Sequence, residues 1–486
     1  MSANEGCRGP GGPMGLSRRG FLKGAGASAV ALNAGILKWA SSLLAAESPT
    51  DPAIPGKARI LAAFARPNVK GYFMGWPGAA YDIAGHQKQY TEVLTAGAKR
   101  FGVQLDLTEQ PIHNDQMLNA FLERAGKESP DGVLITNMSL NAGWRYINRF
   151  LDKRGAVPTV VFSPMGTSFT GHLQHGRRAK NAFVGATQDV GWLLVGLRML
   201  NTVWQMKNTR ICILRGNKTE DKTLDVIGTT LHYIPRARFP EELKKIETDD
   251  EVRSIAEYYR KEAKKIVEPK KDDMLNAAKN YIACRRIMAA EKCQGISMDC
   301  LGLIGGRRIP CPPCIAFCRL LDEGSIGTCE ADWNAAISQR LTAYLCGRPG
   351  FMQDPAPNSV NNTLMGAHCT CATKLDGFDK PHEPFILRSH SESDLGVAPQ
   401  VLWRKGQKVT LMKFAGPGRM ILGTGRVLRN IDTPPSGGCR TSVELEVDGV
   451  ADSRDVKGFH QLFIYGDFEV LFKAYGQLAG IEVQHI

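Results

Sequence analysis

From residue 57 onward the chain alternates short apolar runs with stretches in which apolar positions recur at helical spacing. The runs at 58–64, 103–107, 132–137 and 157–163 predict buried strands, and the amphipathic stretches at 90–101 and 115–125 predict helices. Strands that alternate with helices in this way argue for a parallel sheet. The pattern then restarts with a helix at 191–205, a strand at 210–214, a charged, helix-rich segment at 241–289 and a further strand at 295–299. Charges at helical spacing over 244–271 predict a solvated helix face. After 376 the texture changes to short β-type runs at 384–388, 401–403, 408–414, 419–427 and 442–447, separated by Gly and Pro turns. The stretch 463–482 predicts one amphipathic helix ending at Gly480. The expected fold class is therefore α/β: two Rossmann-like domains with parallel sheets at 57–190 and 191–375, then an antiparallel β-barrel-type domain with a terminal helix at 376–486.

Composition adjusts this picture only slightly. With 43% hydrophobic and 22% charged residues over 486 positions, collagen-like and disordered readings are excluded. No apolar run reaches the roughly 18 residues of a membrane span, which excludes a polytopic membrane protein. The net charge of +13 is partly local, because the first 46 residues carry Arg8, Arg18, Arg19, Lys23 and Lys38 against Glu5 alone. No Lys/Arg stripe is interleaved with aromatics, so nucleic acid is not an expected partner.

The segment Ser17-Arg18-Arg19-Gly20-Phe21-Leu22-Lys23, a weakly apolar stretch at 24–44 and then Ala45-Ala46-Glu47 resembles a twin-arginine export signal over 1–46. The resemblance implies a bacterial protein that the twin-arginine machinery exports already folded, to a periplasmic or similar location. Asn33 and Lys38 interrupt the apolar stretch, so no stable membrane anchor is expected. The Pro-rich 48–56 reads as a linker.

Three polar side chains stand near a glycine inside otherwise apolar stretches: Glu330, Asp354 and His460. A charge there must reach solvent at a strand end or be held by a partner, because burying it alone is too costly. A cap at a helix start for the Glu-x-Asp pair, or a satisfied turn for the histidine, is the bland alternative for each.

The segment Cys329-Glu330-Ala331-Asp332-Trp333-Asn334, then Phe351-Met352-Gln353-Asp354, Gly366-Ala367-His368 and Gly458-Phe459-His460, resembles the L-fucose isomerase / L-arabinose isomerase superfamily over roughly 310–486. Gln353 and Phe459 depart from the arabinose branch, which carries a glutamate and a second histidine there. The resemblance implies a divalent cation, Mn2+ or another such as Mg2+, held by Glu330, Asp354 and His460, with His368 as a further ligand or substrate contact. It also implies aldose–ketose interconversion through an enediolate, with Glu330 and Asp354 as the acid/base pair, a small sugar as substrate and a trimeric or hexameric homo-oligomer. Carboxylates with imidazole suit such hard ions better than thiophilic ones. The polar loop Arg388-Ser389-His390-Ser391-Glu392-Ser393 makes His390 a candidate substrate contact. The alternatives are an epimerase or lyase that uses the same proton abstraction, and a carbohydrate-binding protein without turnover.

The 13 cysteines include Cys311-Pro312-Pro313-Cys314 and Cys318. That spacing is neither a ferredoxin pattern nor a paired CxxC zinc site, so packed thiols in the wall beneath Glu330 are expected.

Overall fold

A computed structural model describes residues 54–69, 72–73, 80–432 and 438–486. The expected export signal and most of the linker lie outside the described residues. Among the described residues, no helix is long and apolar enough to cross a membrane.

The chain is a mixed α/β protein with two parallel sheets and a closed antiparallel barrel. The first sheet contains β1 (Arg59–Ala65), β2 (Gln104–Leu107), β3 (Gly132–Asn137), β4 (Thr159–Ser163) and β5 (Ala182–Ala186) in the order β2-β1-β3-β4-β5, all parallel. β3 and β4 are buried at every position, as a sheet covered on both faces requires. Helices Ile83–Phe101 and Trp192–Asn208 pack together, and Gly97 allows close approach because a Cβ there would stand 2.6 Å from Leu194 Cδ2.

The second sheet comprises β6 (Arg210–Leu214), β7 (Glu220–Thr223), β8 (Thr230–Ile234), β9 (Ile296–Met298) and β10 (Gly327–Cys329), in the order β10-β9-β6-β8-β7. Only β7 runs antiparallel to its neighbour. The edge strand β10 ends at Cys329, immediately before Glu330. Helix Cys314–Asp322 lies against β10 so closely that a Cβ on Gly327 would meet Phe317 Cα at 2.5 Å. Gly327→Ala is therefore expected to force helix and strand apart and to destabilise the protein by about 1–3 kcal/mol, read as a lower denaturation midpoint in urea.

The barrel comprises β11 (Phe351–Asn358), β12 (Thr363–His368), β13 (Lys408–Phe414), β14 (Arg419–Asn430), β15 (Thr441–Val447) and β16 (Gln461–Tyr465). These close in the order β13-β16-β11-β12-β15-β14, with β14 returning to β13. β17 (Glu482–His485) adds in parallel to β14. The barrel thus takes its first two strands from before residue 376, and Asp354 and His368 belong to it. Pro355 and Pro357 lack the amide donors that mark a central strand, which masks β11 in the sequence.

The single helix expected over 463–482 is instead β16, helix Glu469–Ala479 and β17. Leu462, Phe463, Ile464 and Tyr465 are fully buried in the barrel, and Gly466 at φ +109° turns the chain before the helix starts. A short apolar run rich in aromatic and β-branched residues reads equally as strand or helix until its neighbours are known. One continuous hydrophobic core joins residues of both sheets and the barrel.

Candidate metal centre

Four side chains converge where the carboxyl end of β10 meets one end of the barrel. Glu330 leaves β10 in the left-handed region (φ +61°), and Ala331 follows it there (φ +53°) before Asp332 caps helix Trp333–Cys346 by accepting from Ala335 N at 3.0 Å. Asp354 stands on β11 opposite Ala367, and His368 is the last residue of β12. His460 precedes β16, also left-handed (φ +57°), after Gly458 at φ +92°. Because β16, β11 and β12 are successive barrel strands, His460, Asp354 and His368 arrive side by side, and Glu330 reaches them from the second sheet. Non-glycine residues held at positive φ carry a conformational cost that concentrates at functional sites.

The distances are short. Glu330 Oε1 lies 3.6 Å from His368 Nε2, and Glu330 Oε2 lies 3.5 Å from His460 Nε2. His460 Nε2 is also 3.2 Å from Asp354 Oδ1. One ligand atom from each of Glu330, His368 and His460 falls within 4.8 Å of the others. Neighbouring ligands of one small hard ion stand about 3 Å apart, so the donor set is spaced for such an ion.

Charge and burial divide the group in two. Both imidazoles are buried, whereas the side chains of Glu330 and Asp354 remain 32% and 37% exposed. The carboxylates therefore form the open side of the site and the histidines its wall. His460 Nε2 and Asp354 Oδ1 are cut off from solvent and neither has a hydrogen-bond partner, despite their proximity. A buried polar atom left without a partner is costly, and a cation between them would satisfy both.

Behind His460 stands an orienting chain. His460 Nδ1 lies 2.8 Å from Asp332 Oδ2, and Lys413 Nζ stands 3.4 Å from the same oxygen while donating to the carbonyl of Phe459. Burial alone would lower the His460 pKa, but the Asp332 hydrogen bond and the Asp354 and Glu330 carboxylates outweigh it and raise the value to about 9. Burial would likewise raise the Asp332 carboxyl, yet His460 and Lys413 hold it down to about 2. His368 is also raised: burial opposes the shift, and Glu330 and Asp354 drive it. The outer nitrogen of His368, Nδ1, is buried without a partner, so His460 is the better-oriented imidazole.

No protein-family model and no curated protein matches the chain. Among solved structures, the sugar-binding protein of a sugar ABC transporter from Bacillus halodurans aligns over 63% of this chain and 91% of its own, at 12% identity and a TM-score of 0.17. A score that low carries no argument about fold or function. The reading of the site therefore rests on its own geometry.

The structure brings Glu330, Asp354, His368 and His460 together. His390 keeps to its own loop, buried, with Nδ1 3.0 Å from Ser393 Oγ. Asp332 is the helix cap that the Glu-x-Asp pattern allowed, whereas its partnership with His460, and the part of Lys413 in it, were not expected. Lys413 was detectable as a lone cation inside the apolar strand Lys408–Phe414, and Asp332 lies two residues after Glu330. Cys311, Cys314 and Cys318 are buried free thiols around the helix beneath β10. Asp332→Asn keeps the helix cap but removes the anionic partner of His460 Nδ1, and is expected to weaken divalent binding about 10–100-fold in a Mn2+ titration followed by electron paramagnetic resonance.

Proposed function

We propose that the protein is an exported, divalent-metal-dependent sugar isomerase-like enzyme, built of two Rossmann-like domains and a barrel, that interconverts an aldose and a ketose by moving a proton between adjacent carbons. The convergence of Glu330, Asp354 and His460, with His368 beside them, carries this reading. The motifs resembling the L-fucose isomerase / L-arabinose isomerase superfamily fall on these same residues.

Glu330, Asp354 and His460 would hold the ion, with His368 as a fourth donor. Mn2+ is the favoured occupant, because two carboxylates with imidazole suit a hard or borderline ion. When bound, a divalent ion stabilises negative charge developing on two neighbouring substrate oxygens. The chain's own residues do the rest. On this reading Glu330 and Asp354, on the open side, take a proton from carbon and pass the hydroxyl proton. His460, fixed through Nδ1 by Asp332, keeps its other nitrogen aimed into the site. The exposed Phe459 ring lies against the His460 ring, their centroids 4.2 Å apart. The active form is taken to be a homo-oligomer.

The test is solvent exchange. A panel of aldoses and ketoses is incubated with the protein and Mn2+ in deuterium oxide and followed by nuclear magnetic resonance. Deuterium at C1 or C2 with a new sugar isomer supports the isomerase, and deuterium with inversion or loss of a substituent points to an epimerase or lyase. Sugar binding without exchange identifies a carbohydrate-binding protein and refutes the enzymatic reading.

A further inference from the structure

Thiols crowd the wall behind the ligands. β12 and β15 pair antiparallel as far as His368 opposite Thr441. Cys369 continues β12 one residue beyond that pair, and Cys439 stands two residues before Thr441, so the two cysteines meet where the ladder ends. They pack together in a small apolar cluster with Cys314 and Ala398. Ser391 Oγ, 3.3 Å from Cys369 Sγ, closes the far side.

Other thiols also lie in pairs, Cys212 with Cys293 and Cys300 with Cys329, but all four are buried. Among the described cysteines, Cys439 alone is of intermediate exposure. An oxidant can therefore reach the Cys369–Cys439 pair without unfolding the protein, and reactivity at a thiol follows access.

We propose that Cys369 and Cys439 are a dithiol that closes reversibly to a disulfide under peroxide, linking the end of β12 to the start of β15 directly beside His368. One thiol takes an oxygen from hydrogen peroxide, becoming a sulfenic acid and releasing water. The other thiol attacks that sulfur, the S–S bond forms, and the second oxygen leaves as water with the remaining thiol proton. Two sulfurs are oxidised, and the two peroxide oxygens are reduced. Because Cys369 follows His368 in the chain, closing the bond re-aims that imidazole. On the metal-centre reading above, the oxidised protein binds Mn2+ several-fold more weakly.

The experiment exposes the folded full-length protein to hydrogen peroxide, alkylates the remaining thiols, digests without reductant and maps the peptides by mass spectrometry. The expected result is a linked pair carrying Cys369 and Cys439 that separates with dithiothreitol and is missing from Cys439→Ser. Recovery of both cysteines as alkylated free thiols, or linked elsewhere, would overturn the proposal, and this holds whether or not Mn2+ binds. The wild-type map decides the matter even if the variant misfolds. A linked pair with unaltered Mn2+ affinity, in protein that binds the ion when reduced, would overturn the coupling to His368.

Discussion

Alanine at position 460 is expected to lower the affinity for Mn2+ by more than the 10–100-fold assigned to Asp332→Asn, because it removes a ligand and not merely the group that orients one. The same substitution leaves Asp332 facing Lys413 without its second partner, and leaves Glu330 and Asp354 without the imidazole that both approach. Glu330→Gln should come close to this loss while keeping the shape of the side chain, since an amide oxygen is a poor substitute for a carboxylate at a hard ion. Isothermal titration with Mn2+ measures both. The folded state is checked by circular dichroism, because His460 lies between Gly458 at φ +92° and the buried strand β16.

The second large effect is a pH dependence of stability that the free protein shows and the loaded protein lacks. In the metal-free site His460 has its pKa raised to about 9, against an unfolded value of about 6.5. A raised imidazole contributes stability that is fully present below pH 6.5 and is lost as pH rises toward 9. The melting temperature of the metal-free protein should therefore fall across that window. Asp332, held down to about 2, contributes stability that persists above about pH 4 and is lost only near pH 2, so it does not mask the trend. A cation needs the neutral imidazole and must displace its proton, so Mn2+ affinity should rise about tenfold per pH unit from pH 7 and level off near 9. That gain offsets the loss, so the stability of the loaded protein stays level over the interval in which the free protein loses it, and the gap between the two widens by about 1.4 kcal/mol per pH unit. Melting curves with and without Mn2+ at several pH values decide this, and parallel curves would exclude His460 as a ligand.

Much of the fold can be read from local pattern where burial is complete. β1, β3, β4 and β6 each carry at least three consecutive apolar residues because both faces of a parallel sheet are covered. The barrel's start was hidden by Pro355 and Pro357, and β16 by a run whose aromatic residues fit either helix or strand. The site was legible in part for a related reason. Glu330, Asp354 and His460 are ionisable groups in apolar surroundings, and such groups need a partner wherever they fold. What the sequence could not supply was the order of strands around the barrel, which sets β16, β11 and β12 side by side and decides that His368 joins the group while His390 stays in its loop. The roles of Asp332 and Lys413 depend on that same register.

The most direct test is elemental analysis of the purified protein after dialysis against Mn2+ and then against metal-free buffer. A single tightly held ion per chain in the wild type, lost in both Glu330→Gln and His460→Ala proteins that remain folded, is the expected result. Folded wild-type protein that retains no ion, or variants that retain it as firmly as the wild type, would contradict convergence on one cation.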